Sequence, residues 1–411
     1  MERHRFITAR VGLAKCDDDA LFAYLVSDGG YASRCAAMLH IRRCGACSAA
    51  LESIDISLDD LLTDQELREL FARQLRQSSR NREGLQRIIS ACETALQGFT
   101  DRALLLGQLA IDIAENLTPI DPGILALQVT TWTRYASCLK AVGSHLNALQ
   151  AIATAKAKAG QLPSSDLELA LIAFTESHVL REIGQAPEAL VAIRSAISTF
   201  ARHDDARRVA VSREMEATVL YRMGDNEAAL TIFEELLAGT EATNDEAHAR
   251  LALSAGHCAV LLGAHDKARR LFDIAFTMFS RLERYAHLLR VRWGQARLAL
   301  LTGDVEDGIE QLTAVWREFA TRDMKPEWIR SGIELVEQLL KAGEPSKVLS
   351  ICEQLYSEAL DAAMTESALD ALEFLRLAAR ENELNPDVAQ HVRKHFDAIA
   401  ANPRTPFQAP N

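Results

Sequence analysis

The feature that most constrains the fold is a glycine that returns every 39 to 41 residues along most of the chain. Each copy follows an apolar run and precedes a short polar turn. The six copies are Gly143, Gly184, Gly224, Gly263, Gly303 and Gly343. Glycine often ends a helix because it adopts the left-handed backbone conformation without a steric penalty. A helix stop that recurs at one spacing predicts an array of similar helical units.

Small and apolar residues keep a fixed register around each of these glycines. Five residues after the glycine stand Ala148, Ala189, Ala229, Ala268, Gly308 and Val348. Seven residues before it stand Ala136, Ser177, Ala217, Gly256, Ala296 and Val336, and nine residues after it stand Ile152, Ile193, Phe233, Phe272, Leu312 and Cys352. Small residues let paired helices approach closely, and the larger apolar residue fills the gap between them. The layout resembles the tetratricopeptide repeat, whose usual length is about 34 residues.

This resemblance implies an all-α fold whose main part is a right-handed α-solenoid of TPR-like helix pairs, with a period of about 40 residues. We expect the solenoid over 101–400, with the helix Asp101–Leu117 as its cap and the helices Ser367–Arg380 and Asp387–Ala400 near its end. A small zinc-binding helical domain is expected over 1–55. Connecting amphipathic helices are expected over 56–100, and a flexible tail over 401–411.

Three residues of metal-ligand type stand close together near the start of the sequence. His40, Cys44 and Cys47 fall at positions i, i+4 and i+7, which lie on one stripe of a helix. A structural zinc ion takes four ligands in a tetrahedron, so Cys16 or Cys35 is needed as the fourth. Cys35 lies about 140° around the same helix from His40, so we favour Cys16. The alternative is that these are small core residues that fall at helical spacing by coincidence.

The sequence around these residues resembles the zinc-finger domain of zinc-associated anti-sigma factors. The similarity covers Cys16-Asp-Asp-Asp-Ala-Leu-Phe-Ala-Tyr-Leu, a Gly-containing turn, and Ala36-Ala-Met-Leu-His-Ile-Arg-Arg-Cys-Gly-Ala-Cys47. This resemblance implies Zn as the cofactor, held by Cys16, His40, Cys44 and Cys47. It also implies an ECF-type sigma factor as the partner and regulation of transcription as the role.

A segment after the metal motif is a candidate partner-binding helix. Thr63-Asp-Gln-Glu66 has the form of a capping box, and Leu67, Leu70 and Phe71 follow it on one helical face. By the anti-sigma resemblance, this helix would help to wrap a sigma factor. The alternative is that it packs on the zinc-binding helices or begins the solenoid.

In tetratricopeptide stacks the first helix of each pair lines the concave groove. Positions about three, six and ten residues before the turn glycine then point into the groove. In this chain these positions include Phe174, His178, Arg181, Tyr221, His257, Trp293 and Arg297. The mixture of aromatic and basic groups suits an extended peptide with acidic and apolar side chains. The alternative is that the longer period shifts the register, so that some of these residues belong to the core.

Composition and charge narrow the remaining classes of function. The chain is 48% apolar and 25% charged, as in globular proteins, and its net charge of −12 argues against a general affinity for nucleic acid. The sequence shows no apolar stretch of membrane-spanning length and no secretory signal, so we expect a cytoplasmic protein. Cys92, Cys138, Cys258 and Cys352 are scattered, and we interpret them as small buried residues.

No nucleotide-binding loop, zinc-protease motif or nucleophile elbow occurs in the sequence, so we expect a protein that is not an enzyme. Two functional hypotheses remain. The first is a transcription regulator that holds a sigma factor through the zinc domain and reads a signal or partner through the repeats. The second is a scaffold with a purely structural zinc knuckle, whose solenoid is its only binding surface.

Overall fold

The computed structural model describes residues 81–96, 100–118, 122–239, 245–322, 324–361, 364–401 and 405–410, together with Ala37, His40, Ile41, Cys44 and Cys47. Within these ranges the chain forms sixteen α-helices and one short 3-10 helix, and no strand. Contacts divide the chain into two compact units, Met1–Val179 and Leu180–Asn411. The prediction of an all-α fold is confirmed. No helix in the described ranges combines the length and the apolar character that crossing a bilayer requires.

The described part of unit 1 contains four complete helices and most of a fifth. They are α1 (Arg82–Ala95), α2 (Thr100–Asn116), α3 (Pro122–Ala141), α4 (His145–Ala159) and α5 (Asp166–Glu182), of which the last three residues belong to unit 2. The predicted helix Asp101–Leu117 is α2. The Gln128 side chain donates hydrogen bonds to the carbonyl oxygens of Ala114 and Leu117, at 2.8 and 3.0 Å. This buried amide satisfies acceptors that the end of α2 leaves open.

Unit 2 continues the array to the end of the described chain. Its helices are α6 (Ala186–Arg202), α7 (Ala206–Arg222), α8 (Asn226–Gly239), α9 (Asp245–Leu261), α10 (His265–Arg281), α11 (Tyr285–Thr302), α12 (Val305–Thr321), α13 (Lys325–Lys341), the 3-10 turn Pro345–Lys347, α14 (Val348–Asp361), α15 (Glu366–Arg380) and α16 (Pro386–Ala401). The last two helices lie within one residue of their predicted bounds.

The turn glycines have the left-handed backbone conformation that the sequence pattern predicts. All six have positive φ, between 69° and 99°, where a side chain would be strained. The residue after each glycine donates its N–H to the carbonyl five positions back; Asp225 to Leu220 and Asp304 to Ala299 are two of these bonds, at 3.0 Å each. This is the Schellman end of a helix. Each glycine therefore separates the two helices of one pair, as in α7–α8 or α11–α12.

The core follows the predicted register. The small residues on both sides of the turn glycine and the apolar residue nine positions after it are buried in every unit of the repeat. Phe272 illustrates the fit, because its ring lies against Gly256 on α9 and Gly294 on α11. A Cβ added to either glycine would lie 2.6 or 2.5 Å from the ring. Glycine is therefore needed where α10 inserts this ring between its neighbours.

The end of the chain differs from the predicted flexible tail over 401–411. Residues 405–410 pack against α15 and α16, with the Phe407 ring 5.6 Å from that of Phe374 and 5.0 Å from that of His395. The Thr405 carbonyl accepts a hydrogen bond of 2.7 Å from the Ser367 hydroxyl. The expectation is corrected for these six residues, since the contacts of one half-buried aromatic ring and the hydrogen bonds of two main-chain carbonyl groups hold them against the helices.

Candidate metal centre and interaction surface

His40, Cys44 and Cys47 come together in space as their spacing predicts. Their ligand atoms all lie within 4.8 Å of one another. The Cys44 N–H donates to the His40 carbonyl at 2.8 Å, which is the contact of one helical turn, and Cys47 Sγ lies 3.5 Å from His40 Nε2. With Zn–S near 2.3 Å and Zn–N near 2.1 Å, two ligand atoms of a tetrahedral zinc site are about 3.6 Å apart. The donor set and the His40–Cys47 distance therefore fit zinc.

The metal motif is part of the core of unit 1. Ala37, Ile41 and Cys47 are buried and belong to one apolar cluster with residues of α1 and α2, including Leu85 and Leu106. His40 and Cys44 are half-buried. Metal binding at this position would therefore act directly on the packing of α1 and α2.

Some of the predicted site residues lie outside the described part of the chain. They are the candidate fourth ligands Cys16 and Cys35 and the candidate partner-binding residues Leu67, Leu70 and Phe71. The choice of Cys16 as fourth ligand stays a prediction. So does the role of the segment after the metal motif.

The candidate groove residues of unit 1 lie next to each other on α5. Phe174 and His178 are half-buried, and their rings meet edge to face with centroids 4.8 Å apart. Ser177, between them, is fully buried and donates its hydroxyl hydrogen to the Phe174 carbonyl at 2.7 Å. The helix thus presents two aromatic groups side by side.

In unit 2, Trp293 and Arg297 form a connected group with Glu334 of α13. The Trp293 indole N–H donates to Glu334 Oε2 at 2.8 Å, and Arg297 Nε donates to the same oxygen at 2.8 Å. The Arg297 guanidinium carbon lies 4.4 Å from the centre of the Trp293 ring. Trp293 is only 7% exposed, so it belongs mainly to the core, as the alternative register allows. Arg297 keeps a quarter of its side-chain surface open.

Tyr221, His257 and Arg297 come from the first helices of three successive pairs, α7, α9 and α11. Burial lowers the pKa of His257 to about 3, and the charges of Arg297 and Arg330 act in the same direction. Burial also raises the pKa of Tyr221, against the opposing effect of the same two arginines. Residues of α7, α9, α11 and α13 are therefore close enough for their charges to influence one another, which places them on one side of unit 2. We call the surface formed by Arg181, Tyr221, His257, Arg297 and Arg330 the repeat face of unit 2.

Ion pairs run along this side of unit 2 and join each first helix to a neighbouring repeat or to α16. The partners are Arg222–Glu182, Arg250–Glu214, Arg284–Glu246, Arg290–Glu327, Arg297–Glu334 and Arg330–Asp397, at 2.6 to 3.9 Å. Arg181 pairs with Glu182 and directs a guanidinium nitrogen to Met215 Sδ at 3.7 Å. The basic groups of the repeat face are therefore matched by acidic ones.

Sequence reasoning missed the acidic half of this arrangement. Glu334 and Glu337 of α13 are 6% and 1% exposed, although Glu is rarely buried. Glu337 accepts hydrogen bonds from Lys341 and Arg393, both at 2.6 Å. A usable signal was present, because Glu327 and Glu334 follow Arg290 and Arg297 at the same distance of 37 residues.

No protein-family model matches this chain, and no curated protein matches it. Among solved structures, aspartyl phosphate phosphatase F from Bacillus subtilis is similar, with a TM-score of 0.52 and 11% identity over 84% of each chain. A Rap protein complexed with competence and sporulation factor has a TM-score of 0.50 and 12% identity, over 89% of this chain and 99% of the other. The Rap conjugation gene regulator of plasmid pLS20, in complex with the Phr* peptide, has a TM-score of 0.50 and 12% identity, over 93% of this chain and 96% of the other. At these identities the similarity shows a shared TPR-like helical fold.

Proposed function

We propose that this chain is a zinc-binding regulatory protein that captures an extended segment of a protein partner on the repeat face of unit 2. The observation that carries the proposal is that Tyr221, His257 and Arg297 stand on the first helices of three successive pairs and lie close enough for the Arg297 charge to act on the other two. Aromatic and arginine side chains are the groups most often found at the centres of protein interfaces. Two of the similar structures are complexes, one with competence and sporulation factor and one with the Phr* peptide, which supports a peptide as the class of ligand.

The metal site supplies the second half of the proposal. Zinc held by His40, Cys44, Cys47 and a fourth ligand, for which we favour Cys16, would couple the motif to the core of unit 1. A zinc ion with four protein ligands stabilises a fold and performs no catalytic step. We propose that the chain as a whole is a binding protein of the cytoplasm and not an enzyme, although one similar structure is a phosphatase.

The anti-sigma resemblance favours one particular partner. An ECF-type sigma factor would bind through the metal-binding segment and the helix carrying Leu67, Leu70 and Phe71. The repeats would then read a signal or a second partner. The competing hypothesis is a scaffold whose metal site is purely structural, in which case the repeat face alone would bind.

The experiment begins with crosslinking of the full chain to its partners in native lysate, followed by mass spectrometry that identifies the bound segment. A synthetic peptide of that segment is then titrated against the wild-type chain, an Arg181→Ala, Tyr221→Ala variant, and a Val191→Ala control on α6, where Val191 is 71% exposed. We expect the double variant to bind at least about tenfold more weakly, which corresponds to about 1.4 kcal/mol. Equal affinities with unchanged circular dichroism would contradict the use of the repeat face.

A second experiment with the full chain distinguishes the anti-sigma hypothesis from the scaffold hypothesis. Purified ECF-type sigma factors are tested for complex formation with the wild-type chain and with a Cys44→Ser, Cys47→Ser variant. A complex that zinc chelation and the variant both abolish supports the anti-sigma role. Peptide capture by unit 2 without any sigma complex supports the scaffold.

A further inference from the structure

Two cysteines that are far apart in sequence meet in the core of unit 1. Cys92 Sγ on α1 lies 3.1 Å from Cys138 Sγ on α3. Both side chains are 0% exposed. The S–S bond of a disulfide is about 2.05 Å long, so an approach of about 1 Å joins the two atoms.

Helix α2 holds the two thiols in position from one side. The Ala103 carbonyl lies 3.5 Å from Cys92 Sγ and accepts its hydrogen. Gly107 leaves room for the other thiol, because a Cβ at this position would lie 3.2 Å from Cys138 Sγ and 3.1 Å from Tyr135 Cδ2. Tight packing around both side chains keeps the sulfur atoms facing each other.

We propose that Cys92 and Cys138 form a reversible disulfide that links α1 to α3 when the protein meets a hydroperoxide. Neither cysteine is among the proposed zinc ligands, although Cys47 belongs to the same apolar cluster, and the inference does not depend on the proposed function. Cys258 and Cys352 are equally buried in unit 2. They provide a comparison for the effect of burial alone.

The two thiols have different parts in the reaction. The hydrogen bond from Cys138 lowers the pKa of Cys92, with the nearby Arg134 guanidinium acting in the same direction against the effect of burial. The hydrogen bond to Cys92 and burial raise the pKa of Cys138. Since the thiolate is the nucleophile, Cys92 is the residue that attacks the oxidant.

Hydrogen peroxide converts the two thiols to a disulfide in two steps. The Cys92 thiolate attacks one oxygen of hydrogen peroxide, the O–O bond breaks, and Cys92 sulfenic acid and hydroxide form. The Cys138 sulfur then attacks the Cys92 sulfur, the S–S bond forms, and the sulfenic oxygen leaves with the Cys138 proton as water. In total, two thiols and one hydrogen peroxide give one disulfide and two waters. Two electrons pass from sulfur to the peroxide.

Complete burial sets the rate of this reaction. The oxidant reaches the sulfur atoms only when the packing between α1 and α3 opens locally, so the rate should follow that opening. We therefore expect slow oxidation under native conditions. It should accelerate in low concentrations of denaturant, in parallel with amide hydrogen exchange in α1.

The test treats the full chain with hydrogen peroxide, alkylates the remaining thiols and digests with trypsin. Cleavage after Arg87, Arg102, Arg134 and Lys140 places Cys92 in peptide 88–102 and Cys138 in peptide 135–140, each without another cysteine. We expect these two peptides to appear joined and to separate on reduction. Cys352 should remain a free thiol during peroxide treatment and should therefore be recovered in its alkylated form. We also expect the joined form to melt several degrees higher, because the crosslink restricts the unfolded chain.

Two variants keep the test decisive. In Cys92→Ala, Cys138→Ala the rise in melting temperature after peroxide treatment should be absent, whereas in Cys352→Ala the rise should match that of the wild type. The proposal is overturned if peptides 88–102 and 135–140 stay separate after prolonged exposure, including in denaturant that opens α1. It is equally overturned if either cysteine joins a different one.

Discussion

The Trp293 indole N–H donates a hydrogen bond of 2.8 Å to Glu334, so a buried aromatic residue on one helix pair depends on a buried acid on the next. Replacing Glu334 by Ala removes the acceptor and leaves Arg297 without its partner. We expect a loss of about 3 kcal/mol in the free energy of unfolding. Glu334→Gln should lose less, because its amide oxygen still accepts from the indole. Urea unfolding followed by tryptophan fluorescence measures both, and equal losses would contradict this account.

The slot around Phe272 gives a second prediction. Gly294→Ala places a methyl group where the ring lies, so we expect a loss of about 1–3 kcal/mol from overpacking. Phe272→Leu shortens the side chain and should recover part of that loss in the double variant. Gly239→Ala is the matched control, since an added Cβ meets nothing within 4 Å there. Additive effects in this double-mutant cycle would show that the ring and the methyl group do not meet.

His257 predicts a pH dependence for the stability of unit 2. In the unfolded chain an imidazole takes up a proton near pH 6.5, but in the folded chain it does so only near pH 3. The unfolded state therefore binds more protons between these values, and stability falls as the pH is lowered through this window. Between pH 6 and pH 4.5, the free energy of unfolding of His257→Gln should fall by about 2 kcal/mol less than that of the wild type.

The control for this titration is His203→Gln, at the exposed end of α6. Carboxylates that titrate over the same range affect all three proteins alike, so the difference isolates one imidazole. Parallel curves for His257→Gln and the wild type would mean that His257 is not shielded from water.

Metal removal should act on unit 1. If zinc is bound by His40, Cys44 and Cys47, free metal at about 100 times its Kd adds about 2.7 kcal/mol to stability. We expect a strong chelator to remove this contribution and to increase hydrogen exchange in α1 and α2, which share the core with Ile41 and Cys47. Cys47→Ser should reproduce the effect, and Cys352→Ser in unit 2 should not. Elemental analysis that finds no zinc in the wild-type chain would contradict the metal assignment.

The repeat architecture could be predicted from sequence because it depends on local chemistry. Gly224 and Gly303 end helices because glycine adopts positive φ without strain, which is a property of the residue itself. The same property recurs at every turn glycine of the array. The approach of Cys47 to His40 could also be predicted from local spacing, since positions i and i+7 fall on one side of a helical pattern. Periodicity thus specifies which residues share a face.

Contacts between distant segments could not be predicted in the same way. The Cys92–Cys138 pair joins residues 46 positions apart, and nothing in the sequence relates a cysteine of α1 to one of α3. Whether Trp293 faces the core or the solvent depends on the rotation of α11 against α13, which a period of about 40 leaves open. The sequence around Phe407 gives no indication that its ring contacts those of Phe374 and His395, which come from two different helices.

The ion pairs along the repeat face have a consequence for kinetics. Each pair cancels most of its own field, so an approaching molecule meets alternating charge and is hardly attracted from a distance. Association should then proceed at about 10⁵–10⁷ M⁻¹s⁻¹ with little dependence on ionic strength. A partner that binds here would be distinguished from other molecules mainly by its residence time, because affinity differences between related complexes lie mostly in the dissociation rate.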